Sequence, residues 1–241
     1  MIVQQFNSGL GNQMFQYVFF RQLGKHHPEI RIKADMTWFT WHNEHQGYEL
    51  EKLFGISMPE ADPWEIAVTS GQLPHTVKGY RYINRLLRIF DRKYMETHSI
   101  DEMPMDDMIA FDGTRHAYIT GFYISEKYYK DDLEEIREVF TFPKDETADS
   151  SVTAHDIMSS EAVSVHVRRG DYLDPVYRDR FDLLREDYYR AAVERMRQKY
   201  RHPRFFIFSD DKEYVTKAFD WIPAAERTVV TGNSGEDSWK D

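Results

Sequence analysis

The sequence predicts an α/β protein built on parallel sheets wound with helices, in two halves joined near residue 150. Residues 2–34 read as strand, glycine-bearing loop, helix and strand. Residues 162–230 read as strand, helix, strand, helix and strand. The apolar run Ala162-Val163-Ser164-Val165 also leads directly into His166-Val167-Arg168-Arg169-Gly170-Asp171-Tyr172. A strand end that feeds a charged loop is where open α/β sheets hold their ligands.

The first half opens with a strand candidate, Ile2 to Phe6, and a turn, Asn7-Ser8-Gly9-Leu10-Gly11-Asn12. Met14, Phe15, Val18, Phe19 and Leu23 recur at helical spacing, and Gly24 and Pro28 are expected to close that helix. Ile30 to Ala34 alternates like a half-exposed strand. Residues 36–115 are rich in Trp, Tyr, His, Met and acids without a sustained period, apart from one helix expected over Tyr80 to Phe90. A further helix is expected over Tyr128 to Phe140, ended by Pro143. The polar stretch Thr147 to Ser151 reads as a linker, which sets domains at 1–150 and 151–241, with a helical turn at Ala154 to Met158.

In the second half Ala162 to Val167 is a strand, and Tyr189, Val193, Met196 and Tyr200 share one helical face. Phe205-Phe206-Ile207-Phe208 is a buried strand that exits at Ser209-Asp210-Asp211. Tyr214, Val215, Ala218 and Phe219 form a helix, and Thr228-Val229-Val230 a last strand. Two such halves are expected to hold a ligand in the cleft between them.

The 241 residues are 41% hydrophobic and 15% aromatic, ample for a core, and the formal net charge of −10 argues against a nucleic-acid partner. A local basic pocket for an anion remains compatible with that charge. The absence of cysteine removes disulfides, thiolate metal sites and cysteine nucleophiles. The first residues carry no basic segment followed by an apolar one, and no apolar run approaches the ~20 residues of a membrane span. The reading is a cytoplasmic protein with at most peripheral membrane contact.

Four constellations carry chemistry. Arg168 and Arg169 are adjacent, so their side chains leave the strand on opposite faces. They form either a bidentate clamp for phosphate or carboxylate, or an arginine–aspartate pair with Asp171 that stabilises the turn. His166 shares the face of Arg168, as a ligand donor or a structural one. In the amino-terminal loop, Gly9 and Gly11 permit close backbone approach before a helix, and Asn12 and Gln13 add amides suited to sugar hydroxyls. That loop is also what an ordinary tight turn looks like. Ser209, Asp210 and Asp211 offer carboxylates for a ribose, a base edge or a metal, or a helix cap, with one acid capping and the other free. Trp38, Phe39, Trp41 and Tyr48 suit the apolar face of a sugar ring, or are core. No Gly-x-Ser-x-Gly elbow supports a serine hydrolase.

Together these stretches resemble the bacterial α-1,2-fucosyltransferases of glycosyltransferase family 11. Gly9-Leu10-Gly11-Asn12-Gln13-Met14-Phe15-Gln16-Tyr17 is similar to the amino-terminal signature of that family. Gly121-Phe122-Tyr123-Ile124-Ser125-Glu126-Lys127-Tyr128-Tyr129 is similar to an internal segment of it. His166 to Tyr172 is similar to the His-x-Arg-Arg-x-Asp motif shared with other fucosyltransferases, and Phe206 to Asp211 to the Ser-Asp-Asp strand end.

The resemblance implies a GT-B fold with two Rossmann-like domains, the first on the acceptor side and the second binding GDP-fucose. It implies inverting transfer of fucose to the 2-hydroxyl of a galactose-containing oligosaccharide or lipid-linked glycan, with no metal and no cofactor beyond the donor substrate. A nucleotide-sugar-binding module without transfer activity is the competing expectation. Carried over, Arg168 neutralises the β-phosphate of the leaving GDP, and Arg169 and Asp171 orient the loop and the diphosphate. His166 and Asp211 lie towards the guanosine beside Ser209 and Asp210. Asn12, next to Gly11, reaches the diphosphate or fucose. Asp174, Asp179, Glu186 and a His or acid within residues 36–60 are candidates for the base. Family members continue past Trp239-Lys240-Asp241, so the resemblance also implies an incomplete, truncated carboxy-terminal domain.

Overall fold

The computed structural model describes residues 1–42, 46–87, 116–143, 148–175, 183–231 and 235–240, with backbone alone at 86–87, 148–151, 171 and 236. The chain divides into two compact units, Met1–Pro143 and Lys144–Asp241.

In the first unit, β1 (Ile2–Gln5) lies between β2 (Ile32–Asp35) and β3 (Ala117–Ile119), all parallel. A central strand has neighbours on both edges and layers on both faces, so Ile2, Val3 and Gln4 are fully buried. Helix α1 (Leu10–His26) packs Val18, Phe19 and Leu23 against Ile2, Ala117 and Ile119. Phe19 stacks on Tyr123 at 3.8 Å and meets Tyr128 edge-on at 5.1 Å. Helix α1 runs through Gly24 and stops only where the His27 N–H donates to the Leu23 carbonyl, just before Pro28. The glycine therefore lies within the last turn and is not its terminator.

Helices α2 (Leu50–Phe54) and α3 (Pro63–Ser70) occupy the stretch that showed no period. Asp62 accepts from the Trp64 and Glu65 amides and Glu65 reaches back to the Asp62 N–H, a capping box with Pro63 in the first turn. Helix α4 spans Tyr80–Leu87; the expected extension to Phe90 lies outside the described residues. The helix expected from Tyr128 begins later, as α5 (Leu133–Val139). Before it come two 3-10 turns, Glu126–Tyr128 and Lys130–Asp132, the first capped by Ser125, with Tyr129 at φ −142° breaking the α path between them.

In the second unit the expected linker is the start of a helix. Helix α6 spans Ala148–Met158, and its Val152 and Met158 are exposed, so no apolar stripe marked it in the sequence. Strands β4 (Glu161–Val167), β5 (Pro203–Ser209) and β6 (Arg227–Val229) form a parallel sheet in that order. Phe205, Phe206 and Ile207 of central β5 are at most 1% exposed; each such side chain contributes about 1.5–3 kcal/mol of burial. Helices α7 (Glu186–Lys199) and α8 (Lys212–Ala218) cover the sheet through Tyr189, Val193 and Val215. No helix of the described residues is long and apolar enough to cross a membrane.

Candidate active site

Strands β4 and β5 run in parallel register from Glu161 opposite Pro203 to Val167 opposite Ser209. The Ser209 hydroxyl donates to the Val167 carbonyl at 2.7 Å and accepts from the Asp211 amide at 3.0 Å, tying the two strand ends together. Beyond them the same register continues in the side chains. Arg168 Nε lies 3.3 Å from Asp210 Oδ2, and Arg169 Nε lies 3.1 Å from Asp211 Oδ2. The Arg169 amide also donates to Asp210 Oδ1 at 2.8 Å.

Each guanidinium is further fixed by a ring. Arg169 lies 3.5 Å from the Tyr214 centroid, a close cation–π contact, and Arg168 lies 5.8 Å from that of Tyr172. The terminal nitrogens of Arg169 make no hydrogen bond among the described residues, while its Nε is gripped. Nearby, burial pushes the Tyr189 phenol up, with Tyr188 and Tyr214 adding to it and the Arg169 charge pulling the other way. Gly170 lies close against the Asp210 carboxylate. An added Cβ would stand 2.9 Å from Asp210 Oδ2.

Neither aspartate is idle. Asp211 caps α8 by accepting from the Tyr214 amide at 3.0 Å through its other oxygen, so both its oxygens are engaged within the protein. The expectation that one acid caps and the other stays free is therefore corrected: Asp210 holds the arginine loop. Both acids that pair with the arginines lie some forty residues away in sequence. Asp171 opens a 3-10 turn, Asp171–Leu173, and only its backbone is described. His166 is exposed on β4, opposite Phe208. Asp174 is exposed, Glu186 pairs with Arg190 at 2.6 Å, and Asp179 lies outside the described residues.

The amino-terminal loop is built differently. Gly11 is exposed, and Asn12, half-buried, makes no side-chain hydrogen bond among the described residues. Gln13, expected as a sugar-binding amide, is fully buried. It donates to the carbonyls of Ser8 and Gly47 at 2.8 Å and accepts from the Glu49 amide at 2.9 Å. Gln16 was not singled out, yet it is equally buried. Its amide bonds the Asn7 backbone and side chain at 3.1 Å and the Gly121 carbonyl at 3.0 Å. Phe15 and Tyr129 also meet, at 6.2 Å. The amino-terminal signature and the segment at 121–129 are thus brought together, and their residues brace each other. Of the aromatic cluster, Phe39 and Tyr48 pack against core, Trp38 stacks on His42, and Trp41 is 58% exposed.

The mixed α/β structure with parallel sheets fits a GT-B-like glycosyltransferase that uses a nucleotide sugar. The family model described as glycosyl transferase family 11 matches residues 83–241, well over half of the chain, and the chain belongs to that family. An alpha-1,2-colitosyltransferase of Escherichia coli is 26% identical over 245 aligned positions, which cover 99% of this chain and 80% of that protein.

Proposed function

We propose that the protein is an inverting glycosyltransferase that moves fucose from GDP-fucose to the 2-hydroxyl of a galactoside in a surface glycan. The observation that carries the reading is the pair of guanidinium groups at the ends of β4, each gripped through Nε by an acid from the end of β5. Breaking the glycosidic bond leaves negative charge on the β-phosphate. Preorganised cations at that position stabilise the transition state without reorganising. In this reading Arg168 takes the β-phosphate and Arg169 presents its terminal nitrogens to the diphosphate. Asp210 and Asp211 are positioning residues that hold those forks, and the 3-10 turn at Asp171 closes the loop. His166, exposed on the same strand face as Arg168, is assigned to the guanosine side.

The name of the E. coli relative supports a 1,2 linkage and sets a second donor beside fucose, a colitosyl nucleotide. The deciding experiment is a transfer assay read by mass spectrometry, with GDP-fucose and GDP-colitose each offered with lactose, together with calorimetry using GDP. The expected result is GDP binding and a fucosylated product, with Arg168→Ala losing at least about 100-fold in kcat, as for removal of a key oxyanion donor. Wild-type turnover by Arg168→Ala would overturn the assigned role. Product from the colitosyl donor alone would replace the donor sugar and keep the site. GDP binding without any transfer would favour a nucleotide-sugar-binding module.

A further inference from the structure

We infer that a cavity of about 430 Å³ within the first unit binds a hexose of the acceptor glycan, an assignment that rests on the transfer reading above. Its size falls in the range of small-molecule sites. The cavity sits at the carboxyl ends of the sheet: β1 supplies Gln5, β2 supplies Asp35, and β3 supplies Tyr118 and the following Thr120. That is the edge at which open parallel sheets take ligands.

The lining decides the ligand class. Among the described residues it carries one carboxylate together with amide, hydroxyl and imidazole groups, and neither lysine nor arginine. A phosphate there would face Asp35 with no countercharge, whereas a neutral polyol finds donors and acceptors. Asp35 is 1% exposed and held on both oxygens, by the Tyr118 hydroxyl at 2.6 Å and the Thr37 amide at 2.8 Å. The Tyr118 oxygen in turn accepts from Gln5 Nε2 at 3.1 Å. Carboxylate oxygens accept more than one donor, so a ligand hydroxyl can join this chain. Asn84 is locked by two bonds to the Leu73 backbone, which fixes the opposite wall. His75 is fixed by Thr40 at 3.0 Å and by the Trp41 ring, stacked at 3.9 Å. Trp41 itself stands outside the lining and acts on the cavity through the His75 ring that it holds in place.

The test is saturation-transfer NMR on the full chain with the methyl glycosides of galactose, glucose, N-acetylgalactosamine and N-acetylglucosamine, with GDP calorimetry and thermal melts in parallel. At least one glycoside is expected to bind. Tyr118→Phe and His75→Ala are each expected to weaken it about tenfold, the loss of one hydrogen bond, with GDP affinity unchanged. Trp41→Ala, a change at an exposed side chain, gives a further variant whose fold is not at stake, and it is expected to weaken binding too. No glycoside bound by the wild type, or wild-type binding by all three variants, overturns the assignment. Undisturbed glycoside binding in variants that still bind GDP and transfer sugar removes the cavity alone. Loss of GDP binding by the wild type removes the transfer reading instead.

Discussion

Replacing Gly170 by alanine perturbs the arginine cradle without touching either arginine. The glycine backbone is outside the left-handed region, so alanine suits the main chain. Its Cβ, however, would lie 2.9 Å from Asp210 Oδ2 and 3.2 Å from Cγ. An ordinary contact needs roughly 0.5 Å more, so the carboxylate must swing away. That carboxylate is tethered at one oxygen to Arg168 Nε and at the other to the Arg169 amide. Displacing it gives up a half-exposed ion pair worth about 0–1 kcal/mol. It also weakens, without abolishing, a charge-assisted bond worth about 1.5–3 kcal/mol. The cost to stability is on the order of 1–2 kcal/mol, and at about 2–4 °C per kcal/mol for a chain of this length Tm falls by roughly 2–8 °C. The donor side should suffer in the same measure, because Arg168 loses the partner that orients it. GDP affinity and kcat/KM are expected to drop about tenfold, equivalent to about 1.4 kcal/mol. Thermal melts, GDP calorimetry and initial rates measure the three quantities on one preparation. A lowered Tm with wild-type GDP affinity and rate would refute the reasoning, since the tether would then serve the fold alone.

Three further outcomes follow from the same geometry. Arg169→Lys keeps the charge but loses the flat stacking on Tyr214 and the Nε bond to Asp211, so GDP affinity should fall about tenfold; equal affinity in calorimetry would count against bidentate recognition. Gln16→Leu strands the Asn7 amide and the Gly121 carbonyl, and should cost about 2–4 kcal/mol in urea unfolding; a cost below about 0.5 kcal/mol, the scale of an ordinary surface substitution, would show that the brace is dispensable. The Lys33 ammonium, helped by the Asp62 amide, holds the Glu65 carboxyl below its ordinary range. A depressed folded pKa stabilises above the unfolded value near ~4.3, and that contribution is lost as pH falls through the lower folded value. Glu65→Gln should therefore flatten the acid limb of a Tm-against-pH profile, and a profile parallel to the wild type would reject the assignment.

Much of the second unit is legible in its sequence because its central strand is largely buried. Central β5 is apolar on both faces, and the run Phe205 to Phe208 needs no period to be recognised. The first unit hides its elements for identifiable reasons. Strand β3 has three residues, too few to show an alternation. In the second unit, helix α6 begins in a polar stretch and leaves Val152 and Met158 exposed, so its start read as a linker. The capping sequence Asp62-Pro63-Trp64-Glu65 was a usable signal for α3, since both halves of the box are local. Gln13 and Gln16 were not readable as braces, because a buried amide is explained only by its partners, and theirs lie up to 105 residues away.

The cradle itself is legible once the two strand ends are set side by side. Each apolar strand exits into two like-charged residues, Arg168-Arg169 from β4 and Asp210-Asp211 from β5. Parallel pairing of Val167 with Ser209 matches them in order. Each guanidinium meets an acid of its own, Arg168 with Asp210 and Arg169 with Asp211, and Asp210 also takes the Arg169 amide. A slip of one residue would set Arg168 against Ser209 or Asp211 and leave the other charges mismatched. The ion pairs therefore fix register at the edge where the strands stop pairing. The same matching occupies the Nε edges of both guanidinium groups at one loop, where a single pair would have sufficed to hold the turn.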